Sequence, residues 1–305
     1  MRLVGAPPVK IGAFGGEQDN WGWPQHKCDF ALYRVYGDAK GRPAAYSENN
    51  VPITPRKVLN VSTSGIHDGD YARAHGHRGI CSESEWGPIA RDAELVRETG
   101  CAYHVCHIST RESAEVIRRA KAEGLDISCE TGPHYLLLSD ADLEEDGRFK
   151  MNPPIRSRED RAALISGIQD GTIEVIATDH APHTAEEKLR GLARSAMGIV
   201  GLECAFPLLY EYLVRRGVIT LERLVELMSV NPRQLFGLGG GRLEEGDAAD
   251  FTVLDLDAAW KIEPAAFRSK GRATPFAAWP VHGRAVLTVV DGRPVYEDET
   301  MKTIR

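Results

Sequence analysis

Side chains that can bind a metal ion lie near the ends of two apolar segments of the sequence. His107 lies in YHVCHIST (103–110). Asp179 and His183 follow the apolar run Ile173–Ala177. Imidazole and carboxylate groups are common ligands of zinc and similar divalent ions. In a (β/α) barrel, the side chains at the carboxyl ends of the strands form the active face. If the two apolar segments are strands of a parallel sheet of this kind, these residues predict a metal-binding site at its carboxyl end.

Each of these residues also has a purely structural explanation. A lone histidine is more often a satisfied core or surface residue than a ligand, and aspartate is common as a helix N-cap or turn residue. A carboxylate directly after an apolar strand is nevertheless costly to bury unless it meets a cation or donors. His180 and His183, both within four residues of Asp179, favour a site there. Because side chains alternate along a strand, His104 and His107 are predicted to point to opposite faces.

A third segment, FKMNPPIRS (149–157), carries Asn152 and Arg156 on either side of two prolines. The prolines exclude a helix here and hold Asn152 in an extended or turn conformation. A rigid loop that presents an amide and a guanidinium could bind an amide or carboxylate ligand. Pro-Pro segments are also common in loops that bind nothing.

The pattern from about residue 80 onward is that of an α/β protein. Short apolar runs alternate with amphipathic stretches, which predicts βα units and a parallel sheet. The predicted helices are Ser82–Gly100, Thr110–Glu123, Glu159–Ile168, one running from Leu202 to Leu209, and one that begins at Leu221. The predicted strands of this sheet are Cys101–Ile108, Leu125–Cys129 and Ile173–Ala177.

The two ends of the chain differ from this regular part. Residues 1–65 are rich in Gly and Pro, with only short strand-like runs such as Phe30–Tyr36. Near the other end, three short strands are predicted to form a small β module. They are Asp250–Leu254, Ala285–Val290 and Pro294–Tyr296, with Asp291-Gly292 as a hairpin turn between the last two.

Composition narrows the class of protein. The formal net charge is −7, with 42% hydrophobic and 27% charged residues, which is typical of a globular protein. The acidic total without a basic run argues against nucleic-acid binding, and no run approaches the ~18 apolar residues of a membrane span. The first residues lack the apolar core of a secretory signal. Six cysteines without CxxC pairs predict reduced, mostly buried thiols in a cytoplasmic protein.

Several motifs together resemble dihydroorotase, a branch of the amidohydrolase superfamily of metal-dependent cyclic-amide hydrolases. The resemblance covers roughly residues 66–298. The motifs are YHVCHIST (103–110), ETGPHYLLL (130–138), FKMNPPIRS (149–157), IEVIATDHAPHTAEEK (173–188), SAMGIVGLECAFPLLY (195–210), NPRQLFGL (231–238), GDAADFTVLD (246–255) and SKGRATPFAAW (269–279). Together, NPP and TDHAPH are more similar to dihydroorotase than to its relatives allantoinase and dihydropyrimidinase.

The resemblance implies a fold, a reaction and a set of site residues. The fold is a (β/α) TIM-type barrel with a small β module, and the reaction is the reversible ring closure of N-carbamoyl-L-aspartate to dihydroorotate in pyrimidine synthesis. One or two zinc ions are implied, with His107 and Asp179 as ligands and Asp179 also carrying the proton. The implied substrate contacts are Asn152, His183, Met197 and Gly198, although the family often has an aromatic residue where Met197 stands.

The sequence departs from the family in its first part. The family's first strand ends in His-x-His followed by Leu-Arg, and no such strand precedes the matching region. His75-Gly76-His77 is not that pair, because it lies in a polar stretch too close to Asp179 for seven intervening βα units. Val58-Leu59-Asn60 begins the stretch where the fifth-strand histidine is expected. Glu48 is a stand-in for the bridging acid, or simply a solvated loop residue.

These departures predict an incomplete barrel and leave several functions open. The predicted division is an atypical segment 1–65, the second part of the barrel at 66–238, and the β module at 239–305. The chain is then a dihydroorotase-type hydrolase, a catalytically inactive relative that acts as an assembly partner, or an allantoinase- or dihydropyrimidinase-like enzyme. Exposed strand edges predict a homo-oligomer, and a carbamoyltransferase is a further candidate partner.

Overall fold

The computed structural model describes residues 65–238 and 244–298. The run Phe30–Tyr36, Glu48 and Val58-Leu59-Asn60 lie outside the described residues. The chain divides into two compact units. Unit 1 contains the stretch up to Thr131 together with Leu138–Asp142 and Pro153–Ile173, and unit 2 contains Gly132–Leu137, Leu143–Asn152 and the stretch from Glu174 onward.

The described residues form short strands and helices of unequal length. The strands are β1 (Ile66–His67), β2 (Gly79–Ile80), β3 (Tyr103–Val105), β4 (Ile127–Thr131), β5 (Val175–Ile176), β6 (Phe251–Lys261), β7 (Pro280–Val290) and β8 (Arg293–Glu297). The helices are α1 (Asp70–His75), α2 (Glu83–Thr99), α3 (Arg111–Ala122), α4 (Pro133–Leu137), α5 (Arg158–Asp170), α6 (Ala185–Lys188), α7 (Gly191–Arg194), α8 (Ala205–Leu209), α9 (Leu221–Val225) and α10 (Asn231–Leu235). α8 continues as a π-helical turn over Tyr210–Val214, and another such turn, Glu226–Val230, joins α9 to α10.

Unit 1 is built from parallel strand pairs and the helices that cover them. β1 pairs with β2, and β3 pairs with β4 with Tyr103 opposite Ile127. α3 packs against both α2 and α5. Ile117 of α3 and Ile168 of α5 are fully buried, because the apolar residues of each helix fall on one face.

The helix boundaries of unit 1 follow from its capping residues, and the three helices predicted there are confirmed. The Thr110 side chain accepts a hydrogen bond from the Ser113 backbone at the start of α3. Ser157 and Asp160 form a reciprocal capping box at the start of α5. α2 ends at Gly100, whose φ of +65° lies in the left-handed region that glycine enters without a steric penalty.

Unit 2 includes the small antiparallel sheet predicted from the sequence. Its strand order is β6-β7-β8, and the turn between β7 and β8 is formed by Asp291 and Gly292, with φ of +50° and +72°. Two successive positive φ angles characterise the hairpin turn whose twist matches that of the strands. β6 and β7 each extend to 11 residues, longer than predicted, because they pair along most of their length.

The described cysteines and helices bear on two expectations from composition, buried thiols and the absence of a membrane span. Of the five described cysteines, only Cys129 and Cys204 are buried, so the expectation of mostly buried thiols is wrong for the described residues. Burial raises the pKa of the Cys204 thiol to about 12. Among the described residues, the helices are all too short or too polar to cross a membrane.

Candidate functional site

His107 and Asp179, the two predicted metal ligands, share an unusual backbone conformation. His107 follows β3 with a φ of +53°, and Asp179 follows β5 with a φ of +41°. Only Ala278 and Asp291 share this feature among the other described non-glycine residues. Left-handed φ angles are sterically unfavourable for residues with a Cβ, and they concentrate at functional sites where the surrounding structure enforces them. Both residues therefore occupy positions typical of a functional site.

The Glu130 carboxylate contacts both histidines that lie near the end of β3. Nδ1 of His107 lies 2.8 Å from Oε1 of Glu130, and Nε2 of His104 lies 3.4 Å from Oε2. The prediction that the two rings face opposite sides of the sheet is wrong. It assumed that the strand continues through His107, whereas the strand ends at Val105 and the left-handed turn at His107 returns its ring to Glu130.

This arrangement keeps the Glu130 side chain negatively charged. Glu130 is only 8% exposed, and burial alone would raise its pKa. The His104 and His107 rings beside the carboxylate outweigh that effect and lower its pKa to about 2. A carboxylate beside Nδ1 favours the tautomer that carries its proton on Nδ1 and leaves the lone pair of Nε2 for a metal.

The donor set of this region fits a divalent metal ion. Ligand atoms of His104, Cys106 and Glu130 all lie within 4.8 Å of one another. Imidazole, thiolate and carboxylate are all zinc ligands. Sequence reasoning gave no role to Cys106 or Glu130. The available signal was that His104 and Cys106, two residues apart, fall on one face of the predicted strand Cys101–Ile108, and that Glu130 directly follows the predicted strand Leu125–Cys129. Whether His107 and Asp179 bind one ion stays a prediction.

In unit 2, three of the predicted substrate contacts are held together by the backbone. Nε2 of His183 donates to the carbonyl oxygen of Met197 at 2.8 Å, and its Nδ1 lies 3.6 Å from Glu187. The amide of Gly198 donates to the carbonyl of Lys150 at 3.0 Å, two residues before the half-buried Asn152. The predicted contacts of segments 150–152, 183 and 197–198 therefore belong to one connected group of loops.

Gly198 is required in this group because its backbone and surroundings exclude a side chain. Its φ is +134°, and an added Cβ would lie 2.6 Å from the carbonyl oxygen of Ala181. Gly198→Ala is expected to lower the free energy of unfolding by about 2 kcal/mol or more, since it adds backbone strain and a clash. Urea unfolding measures this loss.

Gly217→Ala is the matched control for that substitution. Gly217 also has a positive φ, of +71°, but its added Cβ would meet nothing within 4 Å. It therefore reports the conformational penalty alone, about 1 kcal/mol. Equal losses for the two variants would show that the contact at Ala181 is unimportant.

Arg156, predicted to present its guanidinium to a ligand, instead faces the interior of unit 1. It is 3% exposed, and its nitrogen atoms donate to the carbonyl of Ile80 at 2.7 Å and to Oγ of Ser109 at 3.1 Å. The Glu85 carboxylate lies 3.8 Å away. The prediction is wrong for this residue, because the prolines that fix Asn152 are followed by a segment that is buried rather than presented.

Arg156→Met is therefore expected to destabilise the protein. The substitution takes one donor from the Ile80 carbonyl, removes the donor to Ser109 Oγ, and removes the positive charge beside the Glu85 carboxylate, which together should lower the free energy of unfolding by about 3 kcal/mol. The control is Arg158→Met, because Arg158 is an exposed neighbour. This variant should change the free energy of unfolding by no more than about 0.5 kcal/mol. A loss for Arg156→Met as small as the control's would contradict this interpretation.

The remaining histidines considered from the sequence have local partners. Nδ1 of His180 accepts from the backbone amide of Leu202 at 3.2 Å, so its Nε2 carries the proton. His75 and His77 stack with Tyr71, whose ring centroid lies 4.0 Å from that of His75. His75 is exposed, as expected for a surface residue rather than a member of the family's metal-binding pair.

Comparison with known proteins gives two family-model matches. A model described as amidohydrolase family matches residues 91–296, about two thirds of the chain. A model described as peptidase S46 matches residues 1–131, less than half of it. The second match does not assign the chain to the peptidases, because an alignment with a dihydroorotase of Bacillus cytotoxicus covers 95% of the chain at 51% identity.

Curated relatives are similar over most of this chain but are themselves longer. The dihydroorotase of Brevibacillus brevis is 53% identical over 242 residues, which are 79% of this chain and 57% of that protein. The Bacillus cytotoxicus protein is covered to 66%. The chain thus spans just over half to about two thirds of the length of these relatives.

Solved structures confirm the predicted fold class. An L-hydantoinase (dihydropyrimidinase) from Arthrobacter aurescens is 37% identical with a TM-score of 0.66, over 70% of this chain and 49% of that one. A dihydropyrimidinase from Brevibacillus agri is 23% identical with a TM-score of 0.68, over 81% of this chain and 54% of that one, and shows the fold alone. The partial coverage agrees with an incomplete (β/α) barrel.

Proposed function

The chain belongs to the amidohydrolase family, and on that premise we propose that it carries the metal- and substrate-binding part of a dihydroorotase. The proposed reaction is the reversible interconversion of N-carbamoyl-L-aspartate and dihydroorotate. The observation that carries the proposal is the left-handed conformation of both His107 and Asp179, each placed just beyond a strand. The dihydroorotase relatives at 51–54% identity favour this substrate over that of the hydantoinase at 37%.

The residues have distinct roles in this proposal. His107, through Nε2, and Asp179 would each serve as a zinc ligand, and the Glu130 carboxylate, 2.8 Å from Nδ1, would orient the His107 ring. A bound zinc ion supplies an activated water and polarises the ring carbonyl. The Asp179 carboxylate accepts the proton of the attacking water and returns it to the ring nitrogen that leaves. Nothing in this scheme uses Glu48, which stays a prediction.

The substrate contacts lie on the connected loops of unit 2. Asn152 offers an amide that can pair with the ring amide or the substrate carboxylate. The backbone at Gly198, next to Met197, lies close to the carbonyl of Ala181 because Gly198 has no side chain. Nε2 of His183 is engaged by the Met197 carbonyl, which leaves its Nδ1, 3.6 Å from Glu187, as the atom facing other partners.

The test measures zinc content and ring opening of dihydroorotate by the purified full chain. The proposal predicts bound zinc together with turnover of dihydroorotate, and weaker or no turnover of hydantoin. Zinc without turnover would favour the inactive relative that acts as an assembly partner. Preference for hydantoin would favour the dihydropyrimidinase-like alternative.

Assembly is proposed on separate grounds. Among the described residues, large apolar side chains such as Leu189, Leu202 and Val295 are exposed, as they are on surfaces that a partner chain covers. We therefore propose a homo-oligomer or a complex with a carbamoyltransferase. Light scattering of the purified chain, alone and with a carbamoyltransferase, measures the molar mass of any assembly. A monodisperse monomer in both samples would contradict this proposal.

A further inference from the structure

Lys188 is a buried cation to which the proposed function gives no role. It is the last residue of α6, lies in the segment TDHAPHTAEEK, and is 5% exposed. Its Nζ donates three hydrogen bonds to backbone carbonyls, those of Ala196 at 2.7 Å, Gly198 at 2.8 Å and Lys150 at 3.0 Å. An ammonium group has three N–H donors, so each of them is used.

The three carbonyls lie beside the proposed substrate contacts. Lys150 precedes Asn152 by two residues, and Ala196 and Gly198 flank Met197. The amide of Gly198 also donates to the Lys150 carbonyl at 3.0 Å. One ammonium group therefore links the segment that carries Asn152 to the segment that carries Met197.

The position of Lys188 is itself fixed from several sides. Thr184 and Glu187 form a capping box that holds α6, and Glu187 also lies 3.6 Å from Nδ1 of His183. Ser195 donates from Oγ to the Lys188 carbonyl at 2.9 Å. Gly147 approaches so closely that an added Cβ would overlap with the same carbonyl. Because the backbone of Lys188 is held in this way, its side chain can fix the positions of the three carbonyls that it binds.

We propose that Lys188 is a positioning residue, which sets the spacing between segments 150–152 and 196–198 and thereby the affinity for the substrate. This inference rests on the proposed function for the identity of the ligand. It does not rest on that function for the arrangement of the loops, because the three hydrogen bonds are present in the chain alone.

The charges around Lys188 make this device sensitive to alkaline pH. Burial and the positive charge of Lys150 lower the pKa of Lys188 to about 8, against the opposing effects of Asp146 and Glu187. Above that pH the amine keeps only two donors for three carbonyls. The unfolded lysine holds its proton to about pH 10.5, so deprotonation of the folded form does not by itself lower global stability. The expected effect of deprotonation is therefore local, namely the loss of one of the three hydrogen bonds from Lys188 Nζ to the carbonyls.

Hydrogen–deuterium exchange of the full chain tests the positioning directly. Lys188→Met should speed exchange at the Gly198 amide and its neighbours by about tenfold or more, as expected when hydrogen bonds to a charged group are lost. Lys121→Met is the matched control, because Lys121 also donates to a carbonyl, that of Thr172 at 2.7 Å, but lies in unit 1. Unchanged exchange in Lys188→Met, or an equal effect of the control at Gly198, would overturn the inference.

Binding and kinetics with dihydroorotate as the probe give the second readout. Lys188→Met should raise the Kd and KM about tenfold while kcat changes by less than about threefold, since the lost interaction positions substrate rather than reacts. In the wild type, affinity should fall about threefold or more between pH 7 and 9, with no such change in Lys188→Met. Wild-type protein that does not bind dihydroorotate refutes the proposed function, while exchange still decides the loop arrangement. If Lys188→Met does not fold, the wild-type pH series decides, and an affinity constant across pH 8 overturns the inference.

Discussion

Replacing Asp179 with alanine is expected to reduce the rate of dihydroorotate ring opening by a factor of about 10³ or more. The variant loses a metal ligand and the group that moves the proton, and a general base alone commonly contributes 10²–10⁴-fold. Zinc content should fall in the same preparation, since a catalytic site with fewer protein ligands holds its metal weakly. Steady-state kinetics and metal analysis measure the two effects.

The matched control is Asp291→Ala. Asp291 is also an aspartate in the left-handed conformation, with a φ of +50°, but it lies in the hairpin turn between β7 and β8. Removing the carboxylate there tests the backbone conformation without touching the proposed chemistry. We expect wild-type turnover from this variant, and an equal loss in both would mean that the effect of Asp179→Ala is structural.

Glu130→Gln is expected to weaken zinc binding by about 10- to 100-fold. Outer carboxylates that hold a metal-binding histidine typically contribute this much to affinity. The amide keeps the shape of the side chain but loses the charge that faces Nδ1 of His107 at 2.8 Å. Competition with a chelating dye measures zinc affinity independently of turnover. Wild-type affinity in this variant would remove Glu130 from the proposed site.

The same substitution also predicts a pH dependence of stability. The pKa of Glu130 is lowered from its usual 4.5 to about 2 in the folded chain, where His104 and His107 bind it. A lowered carboxyl pKa stabilises the fold above about pH 4.5, and this contribution is lost as the pH falls toward 2. The difference in unfolding free energy between wild type and Glu130→Gln should therefore shrink between pH 5 and 3. A difference that is constant over this range would contradict the charge-based explanation.

Local sequence signals determined most of the helices. Thr110, Ser157 and Gly100 mark helix ends through hydrogen bonds and a backbone conformation that involve only near neighbours in the sequence. Such signals are readable from sequence because the same residue types satisfy the same unpaired backbone groups in any protein. The Asp291-Gly292 turn was readable for the same reason.

The motif resemblance determined the family and named candidate residues, but not how they are held. Gly198 is an example, since the need for glycine comes from the Ala181 carbonyl, 17 residues away in sequence. His183 is another, because its bond to the Met197 carbonyl joins two loops that the sequence shows as separate motifs. Neither constraint leaves a periodic pattern that could be read in advance.

What the sequence by itself determined is therefore the family, the main helices, and the places where metal-binding residues follow strands. Only the tertiary structure decided that His104 and His107 share Glu130, that Arg156 is an interior residue, and that Lys188 binds three carbonyls. The physical reason is that caps, turns and strand ends depend on a few consecutive residues. The partner of a buried charge depends on which distant segments fold against it, and burial makes that pairing obligatory.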